Sequence, residues 1–407
     1  MTPSTSPPVT PVPAIQPATE PPPPELLPRE WRLRLDPLLL LATLGLVGCS
    51  LLAISVSTTD DVPGDPRYYV IRQGIFAAFG LVVMYGLSRL DYSLLRRLTY
   101  PIYGVMLVFI LSVFPIGSVV NGSRSWIELP WISIQPSEFG KLLLIVALAG
   151  FVVERMRRFD RQTTAGVMLL GLLPVMLVML QPDLGTAIVY VVATVAVLFI
   201  AGAPFRHFAA LGGLAGLAIA LTLVALPAVG VSVLKPYQVD RLTSFMEPGG
   251  DPSDAGYQQA QSKIAIGSGE KTGRGVDNAT QTGLDFLPEH HTDFIFAVIG
   301  ETYGFAGCAL VLSLYALLVW RGLHILTTAK NLYGALIAGG VTVMILFQVF
   351  VNVGMTIGIM PITGIPAPLL SYGGSSLLVT LMAVGLLQSV HAQARETAAR
   401  KGRAPLF

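Results

Sequence analysis

The chain has 407 residues and a formal net charge of +2, and it is 53% apolar but only 12% charged. Soluble domains average about 25% charged residues, so this composition excludes a water-soluble globule and indicates a membrane protein. The two cysteines, Cys49 and Cys308, both lie in apolar stretches. We therefore predict neither a disulfide nor a cysteine-based metal site.

The N-terminal tail differs from the rest of the chain. Residues 1–28 contain 11 of the 30 prolines and show no apolar periodicity. Such a composition cannot bury a core, so we expect residues 1–32 to form a disordered, Pro-rich cytoplasmic tail. A cleavable signal peptide would begin with basic residues followed by an apolar run, so none is expected.

Apolar stretches dominate the remainder, and a membrane-crossing helix needs roughly 20 mostly apolar residues. We predict an all-α polytopic membrane protein of about ten transmembrane helices. The expected spans are 36–57, 69–88, 99–116, 139–154, 163–180, 184–202, 206–230, 292–320, 331–358 and 371–391. The long polar segment 231–291, between the seventh and eighth spans, is expected to be a functional extracytoplasmic loop.

Basic residues determine the expected orientation. Of the 26 Lys and Arg residues, 17 lie in the two tails and in the loops on the N-terminal side of the bundle. Basic loops face the cytoplasm, so both termini are expected there, including a basic tail at 393–407. Residues 33–392 would form the transmembrane domain, with most polar and ionisable blocks on the extracytoplasmic side.

The first polar block lies between the third and fourth spans. Glu138 and Lys141 are three residues apart, so they share one helix face, and Arg124 precedes them. One interpretation is an interfacial ion pair accompanied by tryptophan anchors. The other is a socket for an anionic headgroup, in which Arg124 and Lys141 donate to a diphosphate.

Two aspartates stand at the edges of apolar helices. Asp183 is either the N-cap of the sixth span or a residue that shapes the site. Asp293 is the most informative single residue, because a carboxylate at such an edge usually faces a polar cavity. The alternative is that Asp293 and Thr292 cap the eighth span. Glu301 lies roughly two turns further along that helix.

The long loop and the C-terminal region add further candidates. The loop contains Arg241, Gln258 and Lys263, together with closely spaced glycines that allow a backbone to approach a ligand or another chain. Adjacent histidines, such as His290 and His291, point apart on any regular element, so a two-histidine metal site is not predicted. The Pro- and Gly-rich segments 361–366 and 371–376 should form irregular outer turns covered by protein or lining a cavity.

Several blocks are more specific in combination than any one is alone. They are Gln135-Pro136-Ser137-Glu138, Gln181-Pro182-Asp183-Leu184-Gly185, and the runs from Gln261 to Gly267, from His291 to Phe296 and from Ser371 to Ser376. Together, over residues 35–392, they resemble the SEDS family (shape, elongation, division and sporulation proteins). Thr363-Gly364-Ile365-Pro366 is similar to the RodA-type, elongation branch. Residues 270–279 depart from the family pattern by being more polar, and Thr302 stands where the family often has a second Glu.

The resemblance implies a peptidoglycan glycosyltransferase that polymerises lipid II into β-1,4 glycan strands and releases undecaprenyl diphosphate, for cell elongation and rod shape. Asp293 matches the family's essential aspartate and would be the catalytic base. The residues expected to bind substrate are Arg124, Glu138, Lys141, Asp183, Arg241, Gln258, Lys263, Glu289, His291 and Ser375.

The resemblance also implies a multi-pass protein of the bacterial cytoplasmic membrane with an extracytoplasmic active site. The expected partners are a class B penicillin-binding protein, which is the transpeptidase, and other membrane and cytoskeletal proteins of the elongation complex. No nucleic-acid partner and no metal site built by the protein are expected, while a divalent cation, Mg²⁺ or Mn²⁺, is left open.

Two competing functions are a lipid II flippase and a scaffold that activates a partner synthase. Intramembrane charges and proline-broken helices fit a transporter as well. A flippase needs a hydrophilic route through the bilayer, however, and the fifth to seventh spans contain almost no ionisable residue. The polymerase is therefore the favoured interpretation, and it depends largely on the resemblance.

Overall fold

The structure is a computed structural model of the chain. It describes residues 35–59, 62, 64–120, 123–129, 132–155, 161–221, 254–276, 278–283 and 286–400. The Pro-rich tail, Arg241 and the first part of the predicted loop, 231–253, lie outside the described residues.

Helices account for most of the described chain, with one small sheet between the third and fourth spans. The helices are α1 (Pro37–Ser57), α2 (Tyr68–Arg89), α3 (Ser93–Arg97), α4 (Thr99–Leu111), α5 (Val113–Ile116), α6 (Pro136–Arg155), α7 (Arg161–Leu180), α8 (Leu184–Ile200), α9 (Phe205–Ala220), α10 (Asp254–Ser268), α11 (Thr280–Gly283), α12 (Ile295–Thr328), α13 (Leu332–Ile357) and α14 (Gly374–Arg400). The strands are β1 (Ser118–Val120), β2 (Ser123–Glu128) and β3 (Ser133–Ile134).

The prediction of a polytopic helical membrane protein is confirmed. Within the described ranges, eight helices are long and apolar enough to cross a membrane, with α4 and α5 counted together, and α8 is a shorter apolar helix of 17 residues. Helix α9 begins one residue before the predicted seventh span. The ten predicted spans correspond to these eight helices together with α8 and α9. Helix α8 is short, and α9 ends close to the end of its described range.

Helices α6, α13 and α14 form the centre of the bundle, since most of their residues are buried, whereas α2 and the α4–α5 unit expose most of theirs. Small residues bring the central and outer helices together. A Cβ added at Gly80 of α2 would lie 2.4 Å from a methyl carbon of Leu381 on α14. The exposed apolar faces of the outer helices are the surface that a bilayer would cover.

The three-stranded sheet is a feature that the helical prediction lacked. Its strands follow the order β1-β2-β3 and are antiparallel, with Ser118 opposite Trp126 and Ile127 opposite Ile134. The segment is too short and too polar to cross a membrane, so its backbone groups pair with one another instead. The sheet sits directly before α6 and places β3 against the start of α14.

A polar cluster closes the opposite end of α14. Asp36, the N-cap of α1, is fully buried and accepts hydrogen bonds from Nε (2.8 Å) and Nη2 of Arg321. The amide of Asp36 donates to Oε1 of Gln388 (2.7 Å), and Nε2 of Gln388 donates to the carbonyl of Asp36 (3.1 Å). The imidazole of His391 completes the cluster, 3.9 Å from the carboxylate. This ion pair joins α1, α12 and α14.

Candidate active site

A tight turn presents Asp293 just before α12. Glu289 has a left-handed φ of 55°, and its carbonyl accepts from the amides of Thr292 (3.2 Å), Asp293 (3.1 Å) and Phe294 (3.3 Å). The N-cap of α12 is Phe294, which makes no side-chain capping bond. The alternative that Asp293 caps this helix is therefore wrong. Its side chain is half-buried, and its backbone lies in the turn that precedes the helix.

Two further contacts hold this turn from neighbouring segments. The side-chain amide of Asn352, fully buried on α13, donates to the carbonyls of Asp293 (3.0 Å) and Ile365 (2.9 Å). The amide of Tyr372 donates to the carbonyl of His291 (2.9 Å). Three segments that are far apart in sequence, around residues 291, 352 and 372, thus meet at one place.

A cavity of about 350 Å³ opens beside the turn, a size typical of the smaller ligand pockets. Its lining residues are Tyr69, Arg72, Phe76, Trp126, Glu128, Ser133, His291, Thr292, Tyr372, Gly373 and Gly374. Among them, the ring of His291 packs against Tyr69, with centroids 4.9 Å apart, and Tyr69 meets Tyr372 edge-on at 5.0 Å. Aromatic walls with one arginine and one glutamate suit a ligand that has both apolar and charged or hydroxylated parts.

Several cavity residues were not identified from the sequence. Arg72 lines the cavity while its guanidinium stands 4.6 Å from the centre of the Tyr68 ring. Its neighbour Gln73 is fully buried and donates to Ser50 Oγ and to the carbonyl of Ser371, both at 3.1 Å. Both residues could have been identified from the sequence, because an Arg-Gln pair inside an otherwise apolar span is unusual.

Glu138 and Lys141 form the predicted ion pair, with Nζ 2.6 Å from Oε1. Lys141 is only 2% exposed, so the pair lies inside the bundle and not at an open surface. The two charges of such a buried pair compensate each other, and removing one partner leaves an uncompensated charge. By contrast Arg124 is exposed on β2, where its Nη1 donates to the carbonyl of Phe114 (3.2 Å).

Asp183 is the N-cap of α8, one of the two roles considered for it, and its role in shaping the site stays a prediction. Its Oδ1 accepts from the amide of Thr186 (3.0 Å), so it is the N-cap of α8, and its Oδ2 accepts from Nε2 of Gln135 (3.0 Å). The amide of Gln135 donates to Oγ of Ser375 (3.1 Å), and that hydroxyl donates to the carbonyl of Ser133 (3.3 Å). Burial raises the pKa of the Asp183 carboxyl, although the Thr186 hydrogen bonds oppose the shift.

The remaining candidates lie on α10. Gln258 is half-buried, and its neighbour Gln259 donates to the carbonyl of Met360 (3.0 Å), which ties α10 to the end of α13. Lys263 is exposed, and its side chain lies over Gly358, where an added Cβ would be 2.9 Å from Cδ. A cation at a helix C-terminus is favourable on its own account, so this contact gives Lys263 a structural role beside the expected one.

No group of three or more His, Cys, Asp and Glu side chains that could hold a metal occurs in the parts of the chain that the structure describes. Mg²⁺ is often bound through one or two carboxylates, substrate phosphates and water. A site completed by a substrate diphosphate is therefore compatible with these residues, and the cation stays a prediction.

Comparison with known proteins gives a consistent result. The family model described as "Cell cycle protein" (FtsW/RodA/SpoVE) matches residues 33–396. Stage V sporulation protein E of Bacillus subtilis is 40% identical over 88% of this chain and 95% of its own length. Peptidoglycan glycosyltransferase MrdB of Escherichia coli is 36% identical over 88% of this chain and 94% of its own. A chain of a peptidoglycan synthase complex, solved to describe the coordination of polymerization and crosslinking, superposes with a TM-score of 0.75, at 33% identity over 89% of this chain and 99% of that one.

Proposed function

The chain belongs to the FtsW/RodA/SpoVE family of cell cycle proteins, and from that membership we propose that it is a peptidoglycan glycosyltransferase. It polymerises lipid II into β-1,4 glycan strands and releases undecaprenyl diphosphate. The observation that carries the proposal is the turn of residues 289–294, which contains Asp293 and whose His291 and Thr292 line a cavity of about 350 Å³ with aromatic walls.

Asp293 acts as the general base. Its carboxylate accepts the proton of the 4-hydroxyl of the incoming GlcNAc as that oxygen attacks the anomeric carbon of the donor MurNAc. The donor linkage to phosphate is α and the product is β, so a single displacement with inversion suffices. One base is then enough, as in inverting glycosidases.

The diphosphate that leaves needs positive charge more than it needs a proton. Arg124 and Lys263 are exposed and Arg72 lines the cavity, so their charges can reach a bound anion. Lys141 is paired with Glu138 inside the bundle, so its charge is compensated there and acts less directly on a bound anion. A bilayer would cover the apolar faces of α2 and α4. The polyprenyl chain of the substrate can therefore stay in the lipid beside the site.

The family contains elongation, division and sporulation proteins, and we propose the elongation role because Thr363-Gly364-Ile365-Pro366 resembles that branch. We propose a class B penicillin-binding protein as the partner, since the superposed chain belongs to a complex that coordinates polymerization with crosslinking. The basic loops and tails give cytoplasmic termini, and the site lies on the extracytoplasmic side of the membrane.

A flippase is the second candidate, and the location of the polar groups argues against it. Between Gln162 and Leu180 of α7, and throughout α8, the sequence has no ionisable residue except Tyr190, which is fully buried. The polar groups of the site gather at one end of the bundle instead. A scaffold without chemistry would have no use for a carboxylate in a turn that borders a cavity.

The test is polymerisation of labelled lipid II by the purified full-length chain, with and without its transpeptidase partner. Asp293→Asn should abolish product while lipid II binding persists. Asp65→Asn, which changes an exposed carboxylate between α1 and α2, is the matched control and should be fully active. Full activity of Asp293→Asn would exclude the assigned base. Translocation of lipid II without polymer in vesicles of the wild-type chain would favour the flippase.

A further inference from the structure

The helix that follows Asp293 is broken inside the protein. Gly304 has φ 62° and ψ −158°, which divides α12 into the halves 295–303 and 305–328. A break removes helical hydrogen bonds from the backbone groups on both sides. In apolar surroundings those groups must be satisfied by another part of the protein.

A loop between α10 and α11, residues 269–275, supplies the missing partners. Four backbone hydrogen bonds join this glycine loop to the two sides of the break. They run from Arg274 N to Glu301 O (2.9 Å), Gly275 N to Thr302 O (3.1 Å), Phe305 N to Glu270 O (2.9 Å) and Ala306 N to Lys271 O (3.1 Å). The loop therefore clamps the break and fixes the angle between the two halves.

Two glycines make this approach geometrically feasible. A Cβ on Gly269 would lie 1.8 Å from the carbonyl oxygen of Gly300. A Cβ on Gly273, whose φ is +86°, would lie 2.1 Å from the carbonyl oxygen of Thr302. Both distances are far inside van der Waals contact with backbone, so any side chain at these positions must push the loop away from α12.

Glu301, at the end of the first half, fastens the same region through its side chain. The residue is fully buried, at 0% exposure. Its carboxylate accepts from the amides of Gln281 (2.8 Å) and Thr282 (3.0 Å) and from Oγ1 of Thr282 (2.7 Å). Three donors satisfy a carboxylate whose burial would otherwise be costly.

We propose that Glu301 is a positioning residue for Asp293, acting through the half-helix 295–303. Residues 295–302 are all buried, so this short helix of about 12 Å moves as one body. Asn352 holds the carbonyl of Asp293 at one end, and Glu301 with the glycine loop holds the other. The loop, α11 and the first half of α12 thus set where the Asp293 carboxylate stands in the site.

The proposal depends on the proposed polymerase function, because its effect is read in the catalytic rate. A catalytic group displaced by about 1 Å can lose about 100-fold in rate. Loosening the clamp should therefore lower kcat for lipid II polymerisation, while KM and lipid II binding change less, because nine of the eleven lining residues belong to segments other than the turn.

The glycines offer matched pairs for the test. Gly273→Ala and Gly275→Ala both place alanine at a positive φ, +86° and +76°, but only at Gly273 would the Cβ meet backbone. Likewise Gly269→Ala meets the carbonyl of Gly300, whereas Gly267→Ala meets nothing within 4 Å. We expect kcat to fall at least ~10-fold for Gly273→Ala and Gly269→Ala relative to their partners. Equal kcat within each pair would overturn the proposal.

Substitutions around Glu301 provide the second measurement and remain informative if a glycine variant does not fold. Thr282→Val removes one of the three bonds to the carboxylate, and Thr282→Ser keeps it. We expect Thr282→Val to lower kcat several-fold at unchanged KM and to shift the acidic limb of the kcat–pH profile, with Thr282→Ser restoring both. A fall in thermal stability with an unchanged kcat per folded molecule would show a merely structural role. Absence of polymer from the wild-type chain, with or without partner, would instead refute the proposed function.

Discussion

The two ends of the last helix, α14, use polar residues in different ways. At one end, Asp36 and Arg321 form a fully paired, buried ion pair, and Gln388 completes the hydrogen bonds of the Asp36 backbone. At the other end, Ser375 ties the sheet to the helix beside a cavity of about 350 Å³ whose polar side chains are only partly buried. Charges that only hold helices together are buried with their partners, whereas charges that meet a substrate stay accessible.

Asp293→Asn is the substitution expected to have the largest effect. General base catalysis contributes about 10²–10⁴-fold to a reaction rate. We therefore expect kcat to fall about 100-fold or more, while the thermal unfolding temperature stays the same. Polymerisation assays and unfolding scans on one purified sample measure both. If the variant lost stability and kept its rate, Asp293 would have a structural role, like the Asp36–Arg321 pair at the other end of α14.

Arg321→Ala tests the other end of the comparison. It leaves the carboxylate of Asp36 buried without its ion-pair partner, so we expect a loss of about 3–5 kcal/mol in stability. The double variant Arg321→Met with Asp36→Asn should recover most of that loss, because no lone charge remains. Thermal unfolding in one detergent compares the three proteins. If kcat per folded molecule fell in the double variant, the two ends would be coupled and not independent.

Arg72→Gln should act on substrate binding. The guanidinium lines the cavity, and a hydrogen bond to a charged group contributes about 1.5–3 kcal/mol, so KM for lipid II should rise by about tenfold or more with a smaller change in kcat. Arg67→Gln, at an exposed arginine five residues earlier, is the control. An unchanged KM would place the anionic part of the substrate elsewhere, for example at Arg124.

Ser375→Ala is expected to have the smallest effect. It removes the acceptor for the Gln135 amide and the donor to the Ser133 carbonyl, each worth about 1 kcal/mol. We expect a two- to fivefold loss of kcat, because β3 and Gln135 shift while Asp293 is held by other contacts. Ser376→Ala removes a neighbouring hydroxyl but leaves the Ser376 carbonyl that accepts from Thr380 Oγ1 (2.8 Å), and it should not affect the rate.

The sequence by itself determined the class of the protein and most of its helices. Apolar length predicted α1, α2, α6, α7, α8 and α13 to within a few residues, because a bilayer imposes about 20 apolar residues on any span, whereas α12 ends eight residues beyond its predicted span. It also singled out Asp293 and the Glu138–Lys141 pair, because ionisable groups beside apolar helices are costly and therefore conspicuous. The glycine series predicted that backbone could approach a ligand or another chain, whereas in the structure it approaches α12 of the same chain.

Only the tertiary structure decided which segments meet. It joined residues 291, 352 and 372 around Asp293 and showed that Lys141 is buried. It also brought Arg72 of α2 to the cavity and Gln73 to the carbonyl of Ser371. It also showed that the glycine loop contacts the break at Gly304. These contacts join residues far apart in sequence, so no local pattern or period encodes them. They arise because each buried backbone group and each buried charge must find a partner in the folded bundle.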